Sequence, residues 1–133
     1  MENTEFGARL NSFKLGLKKT EIEETGHLTL ALLRRANKAG LTCADLNFPD
    51  HLSNLEIKTL KRFSNDSSIK INGLAMRYYT SPKFKLGAFT NPEKAVRELA
   101  LDETKRGIDC AEALGCETMT LWMGQDGLDY SFQ

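Results

Sequence analysis

The chain alternates between segments with helical spacing of apolar residues and short segments of strand-like character. Over residues 25–40, apolar side chains recur at spacings of three and four, which predicts a helix that stops at Gly40. A second helix is predicted over about residues 54–63. The longest begins at Asn91-Pro92-Glu93, where Asn can cap and Pro can take the first helical position, and it ends at Gly115.

A strand-like segment follows each predicted helix. Residues 41–48, 69–78 and 116–123 have the length and the β-branched or aromatic content of strands, and residues 6–13 form a weaker fourth candidate. The resulting order is β-α-β-α-β-α-β, which is typical of right-handed crossovers and a parallel sheet. The predicted fold class is therefore α/β, built of parallel (β/α) units with about four strands.

Size and charge narrow the possible functions. The 133 residues allow one domain, or one large piece of a domain, and we predict a single partial domain over residues 1–133. Eighteen basic and eighteen acidic residues give a formal net charge of +0, which argues against a nucleic acid partner.

Neither a membrane partner nor a disulfide framework is expected. No apolar run approaches the roughly 20 residues of a membrane span, and the polar start does not resemble a signal peptide. The odd count of three cysteines, with no C-x-x-C pair, favours reduced thiols and a cytoplasmic location.

Polar and aromatic residues gather where the predicted strands end. In a parallel sheet these ends meet at one edge, where ligand sites are usually built. Aromatic walls with carboxylate, amide, imidazole and guanidinium groups suit a polyhydroxylated ligand, such as a sugar. The candidate substrate-binding residues are Asn47, His51, Arg77, Phe89, Trp122 and Asp126, of which His51 and Asp126 are also the catalytic candidates.

Several of these residues also have a purely structural interpretation. Trp122 could equally be a core aromatic, and His51 could only cap the following helix. Asp126 stands in a Gly-Gln-Asp-Gly sequence typical of turns, and Arg77 could pair with Asp45.

Three stretches resemble a known family. Residues 46–52 (Leu-Asn-Phe-Pro-Asp-His-Leu) resemble the second-strand end of xylose-isomerase-like TIM-barrel proteins, with Asp45 in place of a Glu. Residues 86–92, running into 104–109, are similar to the entry and body of the third helix in L-rhamnose-isomerase-related sugar isomerases. Residues 120–130 resemble the fourth-strand motif of that group.

The resemblance implies the amino-terminal half of a (β/α)8 barrel, because such a barrel takes roughly 250 residues. It also implies a divalent-metal aldose–ketose isomerase, using Mn, Co, Mg or Zn, that moves hydrogen between C1 and C2. In this family Trp122 would wall the sugar pocket, while His51 and Asp126 would lie near the substrate hydroxyls or just behind the residues that touch the substrate. The family's metal ligands come from the fifth to eighth strands, so no metal ligand is assigned to this chain.

Two other functions remain open at this point. One is a non-catalytic binding or interaction fragment, and the other is the DNA-repair endonuclease branch of the same fold, which the charge balance disfavours. Four strands alone would leave two unpaired edges and one face uncovered. We therefore expect a homo-oligomer or a complementary half-barrel, and little activity from the isolated chain.

Overall fold

The computed structural model describes residues 5–127 as one sheet of four parallel strands with helices packed against it. The strand order follows the chain, β1-β2-β3-β4. The strands are β1 (Gly7–Arg9), β2 (Cys43–Phe48), β3 (Lys70–Arg77) and β4 (Thr118–Trp122). The helices are α1 (Lys19–Thr25), α2 (Leu28–Lys38), α3 (Ile57–Ser67) and α4 (Lys94–Leu114). The predicted α/β class with parallel units is confirmed.

The amino-terminal region differs most from the prediction. The first strand stops at Arg9, because residues 10–13 turn into a short 3₁₀ helix that buries Leu10. Helix α1 was not predicted, since its sequence carries no apolar stripe. It ends at Gly26, whose φ of 75° is left-handed, and His27 then caps α2 by accepting a hydrogen bond at Nδ1 from the Thr29 backbone N–H.

The other boundaries shift by a few residues. Helix α3 begins at Ile57 and extends to Ser67, later than predicted at both ends. Helix α4 begins at Lys94, three residues later than predicted, and the Asn91 side chain accepts a hydrogen bond from the Glu93 backbone N–H just before it. It ends at Gly115, as predicted, with a φ of 73°.

Strand register gives the sheet two different faces. One face carries the apolar side chains of the core, including Leu46, Phe48, Leu74 and Met76, beneath the helices. Helix α4 packs closely on β3 because Gly107 lacks a Cβ, which would collide with the Met76 sulfur. The opposite face is polar.

A β-bulge in β3 keeps the apolar side chains of this strand on the buried face along its whole length. Ala44 pairs with Ile71 and Asp45 pairs with Gly73, so Asn72 is the extra residue. Its side-chain amide donates to Asp45 Oδ1 at 3.2 Å, which holds the bulge to β2. Ile71 and Leu74 both remain on the buried face as a result.

The sheet is curved so that its polar face is concave. Arg9 lies on one edge strand and Trp122 on the other, yet the Arg9 guanidinium carbon is 5.8 Å from the Trp122 ring centroid. In a flat sheet these strands would stand about 14 Å apart, three spacings of about 4.8 Å. Curvature of the barrel kind accounts for the contact, and we call this surface the concave face.

Within residues 5–127, no helix has the length and apolar content needed to cross a membrane. Cys43, Cys110 and Cys116 are free thiols. Burial raises the pKa of each above the ordinary thiol value, which keeps them protonated.

Candidate functional site

The concave face is lined by alternate residues of all four strands. By register, Arg9, Asp45 and Gly73 lie side by side with Thr118, and the next pairs towards the carboxyl ends are Asn47–Ala75–Thr120 and Arg77–Trp122. Asn47, Arg77 and Trp122 therefore stand in the carboxyl-terminal half of the face, where parallel sheets bind ligands.

His51 is held firmly at the carboxyl end of β2. A cis Phe48–Pro49 peptide leads into the short 3₁₀ turn that carries it, and the side chain is 3% exposed. The Asn47 backbone N–H donates to His51 Nδ1 at 3.0 Å. Nε2 therefore carries the ring proton and donates to Asn11 Oδ1 at 3.2 Å, so both ring nitrogens have partners inside the chain.

Burial sets the charge state of His51. Desolvation, aided by the nearby groups Lys14, Arg77 and His27, lowers its pKa to about 4. The imidazole is neutral at pH 7. In this geometry it positions the end of β2 against the loop that follows β1, and its predicted catalytic role stays a prediction.

Asp126 ties the end of β4 to the loop before α4. Its carboxylate accepts hydrogen bonds from the backbone N–H of Ala88, at 3.1 Å to Oδ1, and of Thr90, at 2.7 Å. The Thr90 hydroxyl donates to the same carboxylate at 3.0 Å and accepts from the Gly127 N–H at 2.8 Å. The carboxylate thus fixes one wall of the strand-end region, and its contact with a substrate stays a prediction.

Trp122 and Arg77 are less buried than His51. Trp122 is 49% exposed at the end of β4, which argues against the core-aromatic interpretation. The Arg77 guanidinium carbon lies 4.7 Å from the Tyr79 ring centroid. Both residues are within the part of the chain that the structure describes, and no ion pair joins Arg77 to Asp45 there.

Asn47 and Arg77 each keep a buried nitrogen without a hydrogen-bond partner. The two atoms are Asn47 Nδ2 and Arg77 Nε, and neither meets an acceptor within residues 5–127. Asn47 is 2% exposed. A buried donor without an acceptor is costly, so these two atoms are the polar atoms of the site that folding leaves unsatisfied.

Phe89 occupies a different environment from the other candidates. Its ring packs edge-on against Tyr78, with centroids 5.0 Å apart, at the margin of the apolar core. Tyr78 is itself buried and hydrogen-bonded through its hydroxyl to Thr104 Oγ1 at 2.6 Å. Phe89 therefore supports the loop before α4 from beneath.

Sequence reasoning missed Arg9 and Asn72. The first strand was weakly defined, so nothing indicated that Arg9 points to the same face as Trp122. Asn72 reaches Asp45 only because of the bulge, and the hydrophobic pattern of the sequence does not predict that bulge. The alternation of polar Asp45 and Asn47 within β2 was the available signal that this face is polar.

The residues present do not form a metal centre. Between residues 5 and 127, no three His, Cys, Asp or Glu side chains lie close enough together to hold an ion. Asp126 and His51 are the two candidate residues that could ligate a metal, but their polar atoms form hydrogen bonds within the chain. We assign no metal-binding role to these residues.

No family model matches the chain. A curated xylose isomerase of Thermus thermophilus is 29% identical over 73 residues, which are 55% of this chain and 19% of that protein. The chain thus spans about a fifth of this relative's length.

Two solved structures resemble the fold over most of the chain. An AP endonuclease, family 2, from Brucella melitensis matches 94% of this chain and 43% of its own, with a TM-score of 0.60 and 19% identity. Protein SMc04130 from Sinorhizobium meliloti 1021 matches 87% of this chain and 35% of its own, with a TM-score of 0.56 and 20% identity.

The fold is that of a xylose isomerase-like α/β protein, consistent with part of a TIM barrel. This confirms the resemblance read from the sequence at the level of the fold. The narrower likeness to the L-rhamnose-isomerase-related group stays a prediction.

Proposed function

We propose that this chain supplies strands one to four of a sugar isomerase of the xylose isomerase type, and that its concave face binds a sugar. The observation that carries the proposal is Trp122, half exposed at the carboxyl end of β4 and beside polar donors of the neighbouring strands. An indole face stacks on the C–H face of a sugar ring, and amide and guanidinium groups hydrogen-bond its hydroxyls.

The likeness to xylose isomerase supports this choice of substrate class. The likeness to an AP endonuclease rests on 19% identity and supports the fold alone. The formal net charge of +0 gives no basic surplus for a phosphate backbone.

The proposed reaction is aldose–ketose interconversion with a divalent metal. When bound, the metal would polarise the carbonyl and hydroxyl oxygens of the sugar, and its ligands would come from outside residues 5–127. Within this chain, Trp122 would wall the pocket. His51 and Asp126 would hold the surrounding loops in place.

Exposed apolar surface supports assembly with a second copy or with a complementary half-barrel. Both edge strands lack a partner among the described residues, and β4 carries Leu121 at 40% exposure. On α4, Leu101 and Ile108 are about half exposed. Such edges and apolar patches are usually covered in stable proteins. A dilute, well-folded monomer in sedimentation velocity would contradict this part of the proposal.

Fluorescence and turnover assays test the proposal together. Trp122 is the only tryptophan, so its emission reports on the concave face alone. We expect xylose-, rhamnose- or lyxose-like sugars to change this emission, with no aldose–ketose conversion in the presence of Mn²⁺ or Co²⁺ by the 133-residue chain. Turnover by that chain would show that its residues include a complete catalytic set, and a lack of any sugar response would overturn sugar binding.

A further inference from the structure

The loop between β3 and α4 displays a leucine to solvent. Leu86 is 68% exposed, whereas Phe84 and Ala88, two residues away on either side, are each 1% exposed. The loop is thus anchored in the core on both sides of one outward-facing apolar side chain. Leaving that side chain in water forgoes the free energy that burial of its apolar surface would supply, and contact with a partner would recover it.

Hydrogen bonds within the loop hold Leu86 in place. The Gly87 backbone N–H donates to the Phe84 carbonyl oxygen at 3.0 Å. The buried Asn91 side chain donates to the Gly87 carbonyl oxygen at 2.7 Å. Both backbone groups next to Leu86 on its carboxyl side are therefore fixed, so a partner that binds this loop orders little additional backbone.

A groove of about 510 Å³ lies between this loop and the first turns of α4, and we call it the α4 groove. Its apolar lining comes from Pro82 and Leu86 of the loop and from Val96 and Leu99 of the helix. Val96 and Leu99 stand three residues apart, on one side of α4, and both are only partly buried. An exposed apolar patch with a polar rim is typical of a surface that contacts another protein.

The rim of the α4 groove is mainly basic. Lys83 and Lys85 stand on its loop side, both exposed, and Glu93 is the one carboxylate among the residues that line it. Among the ion pairs of residues 5–127, none includes Lys83, Lys85 or Glu93. The two ammonium groups therefore remain available to carboxylates of a partner, although the whole chain has a formal net charge of +0.

We infer that the α4 groove binds an acidic amphipathic segment of a partner protein, with apolar side chains against Leu86 and carboxylates facing Lys83 and Lys85. Such a segment, as a helix, inserts apolar residues spaced three, four and seven apart into a groove and keeps its charged residues at the rim. A nucleic acid would pair with the lysines and leave Leu86 uncovered, and a flat lipid surface does not enter a groove. The α4 groove shares no lining residue with the proposed sugar site, so it adds a protein interaction to that function.

Fluorescence anisotropy with the 133-residue chain and labelled model peptides tests the inference. The main probe is a fluorescein-labelled helical peptide with leucines at positions i, i+3, i+4 and i+7 and glutamates on its other face. Two matched peptides carry serine in place of every leucine, or lysine in place of every glutamate. We expect the acidic leucine peptide to bind at least about tenfold more tightly than either, and to bind less tightly as the salt concentration rises.

Three variants locate the contact. Leu86→Ser should weaken binding of the acidic leucine peptide by about tenfold or more, because it removes the apolar contact. The double variant Lys83→Glu with Lys85→Glu should weaken it as much and should instead bind the lysine peptide. Lys61→Glu, at an exposed position of α3, is the matched control and should change neither. All these side chains are exposed, so thermal unfolding should show an intact fold in each variant.

Each other outcome would overturn the inference. Equal binding of the serine and leucine peptides would mean that the lysines attract any acidic chain. Tighter binding of a short DNA duplex or of phosphatidylserine vesicles would assign the basic rim to another class of partner. Self-association of the chain that Leu86→Ser abolishes would give the groove to a second copy. Binding of no peptide, or peptide binding unchanged in Leu86→Ser, would show that the α4 groove is not a docking site of this kind.

Discussion

Two groups of polar residues stand at the same end of the sheet, but their hydrogen bonding is opposite. The first group, His51 and Asp126, has its acceptor and donor atoms satisfied by backbone and side-chain groups of the chain. The second group, Asn47 and Arg77, keeps buried nitrogens without partners. We call the first the closed group and the second the open group.

The difference separates support from recognition. A closed polar residue stabilises the loops around a site, because its removal leaves other buried groups unpaired. The unpaired nitrogen of an open residue contributes no hydrogen bond to folding, and we propose that it serves the ligand. Substitutions in the two groups should therefore have opposite effects on stability and on binding.

The largest loss of stability is expected for His51→Leu. The change leaves the Asn47 backbone N–H and Asn11 Oδ1 without partners at a buried site, and we expect a loss of about 3–4 kcal/mol in the free energy of unfolding. Urea denaturation measures it. An equal loss of unfolding free energy in Arg77→Gln would contradict the distinction between the two groups.

Acidification should act through the same histidine. The pKa of His51 is about 4 in the folded chain and about 6.5 when unfolded, so protons bind the unfolded state first as the pH falls. The stabilisation is complete above pH 6.5 and is lost progressively towards pH 4. Between pH 7 and pH 5 we expect a loss of about 2 kcal/mol.

The pH window separates His51 from Glu21, and Glu103, whose pKa burial raises, would shift stability in the opposite direction. Glu21, whose hydrogen bond to Arg35 lowers its pKa to about 2, begins to contribute only below about pH 4.5. The His51→Leu variant is the control, and its unfolding free energy should not fall between pH 7 and pH 5. A slope in the variant equal to that of the natural chain would assign the effect to another group.

Asp126→Asn should have an intermediate effect. The amide keeps one acceptor oxygen but loses the charge that the Ala88 and Thr90 N–H groups face, so we expect a loss of about 2 kcal/mol. Hydrogen exchange of those two amides should accelerate more than that of the β3 amides. Unchanged protection at Ala88 and Thr90 would show that the carboxylate does not hold this loop.

Asn47→Leu should have the smallest effect on stability. Removing an unpaired buried donor avoids a desolvation penalty, so the free energy of unfolding should stay within about 1 kcal/mol of the natural value. Chemical denaturation of this variant beside His51→Leu gives the comparison directly. A loss as large as that of His51→Leu would mean that the Asn47 amide has a structural partner.

The sequence was a good guide to the parallel sheet and a poor one to the state of its polar residues. Strands β2, β3 and β4 and the end of α4 at Gly115 follow from periodicity and glycine placement. Helix α1 was missed because its charged sequence has no apolar stripe, and β1 is short because Leu10 turns into the core.

The candidate site shows the same limit. Residue type and strand-end position were enough to predict that four residues lie at one end of the sheet: His51, Arg77, Trp122 and Asp126. Whether each of these side chains has a hydrogen-bond partner depends on backbone N–H groups such as those of Asn47 and Ala88. Nearly every residue carries such a group, so the sequence pattern does not show which of them a side chain meets. Phe89 was placed in the site by its loop, whereas Tyr78 draws it towards the core.

The central claim is that the open group receives the ligand while the closed group stays as it is. An NMR titration of the ¹⁵N-labelled chain with D-xylose tests it most directly, by following side-chain and backbone nitrogen resonances. The account predicts shifts at Asn47 Nδ2, Arg77 Nε and Trp122 Nε1, with the His51 imidazole nitrogens and the Ala88 and Thr90 amides unchanged. Shifts centred on His51 and Ala88, with none at Asn47 or Arg77, would contradict it.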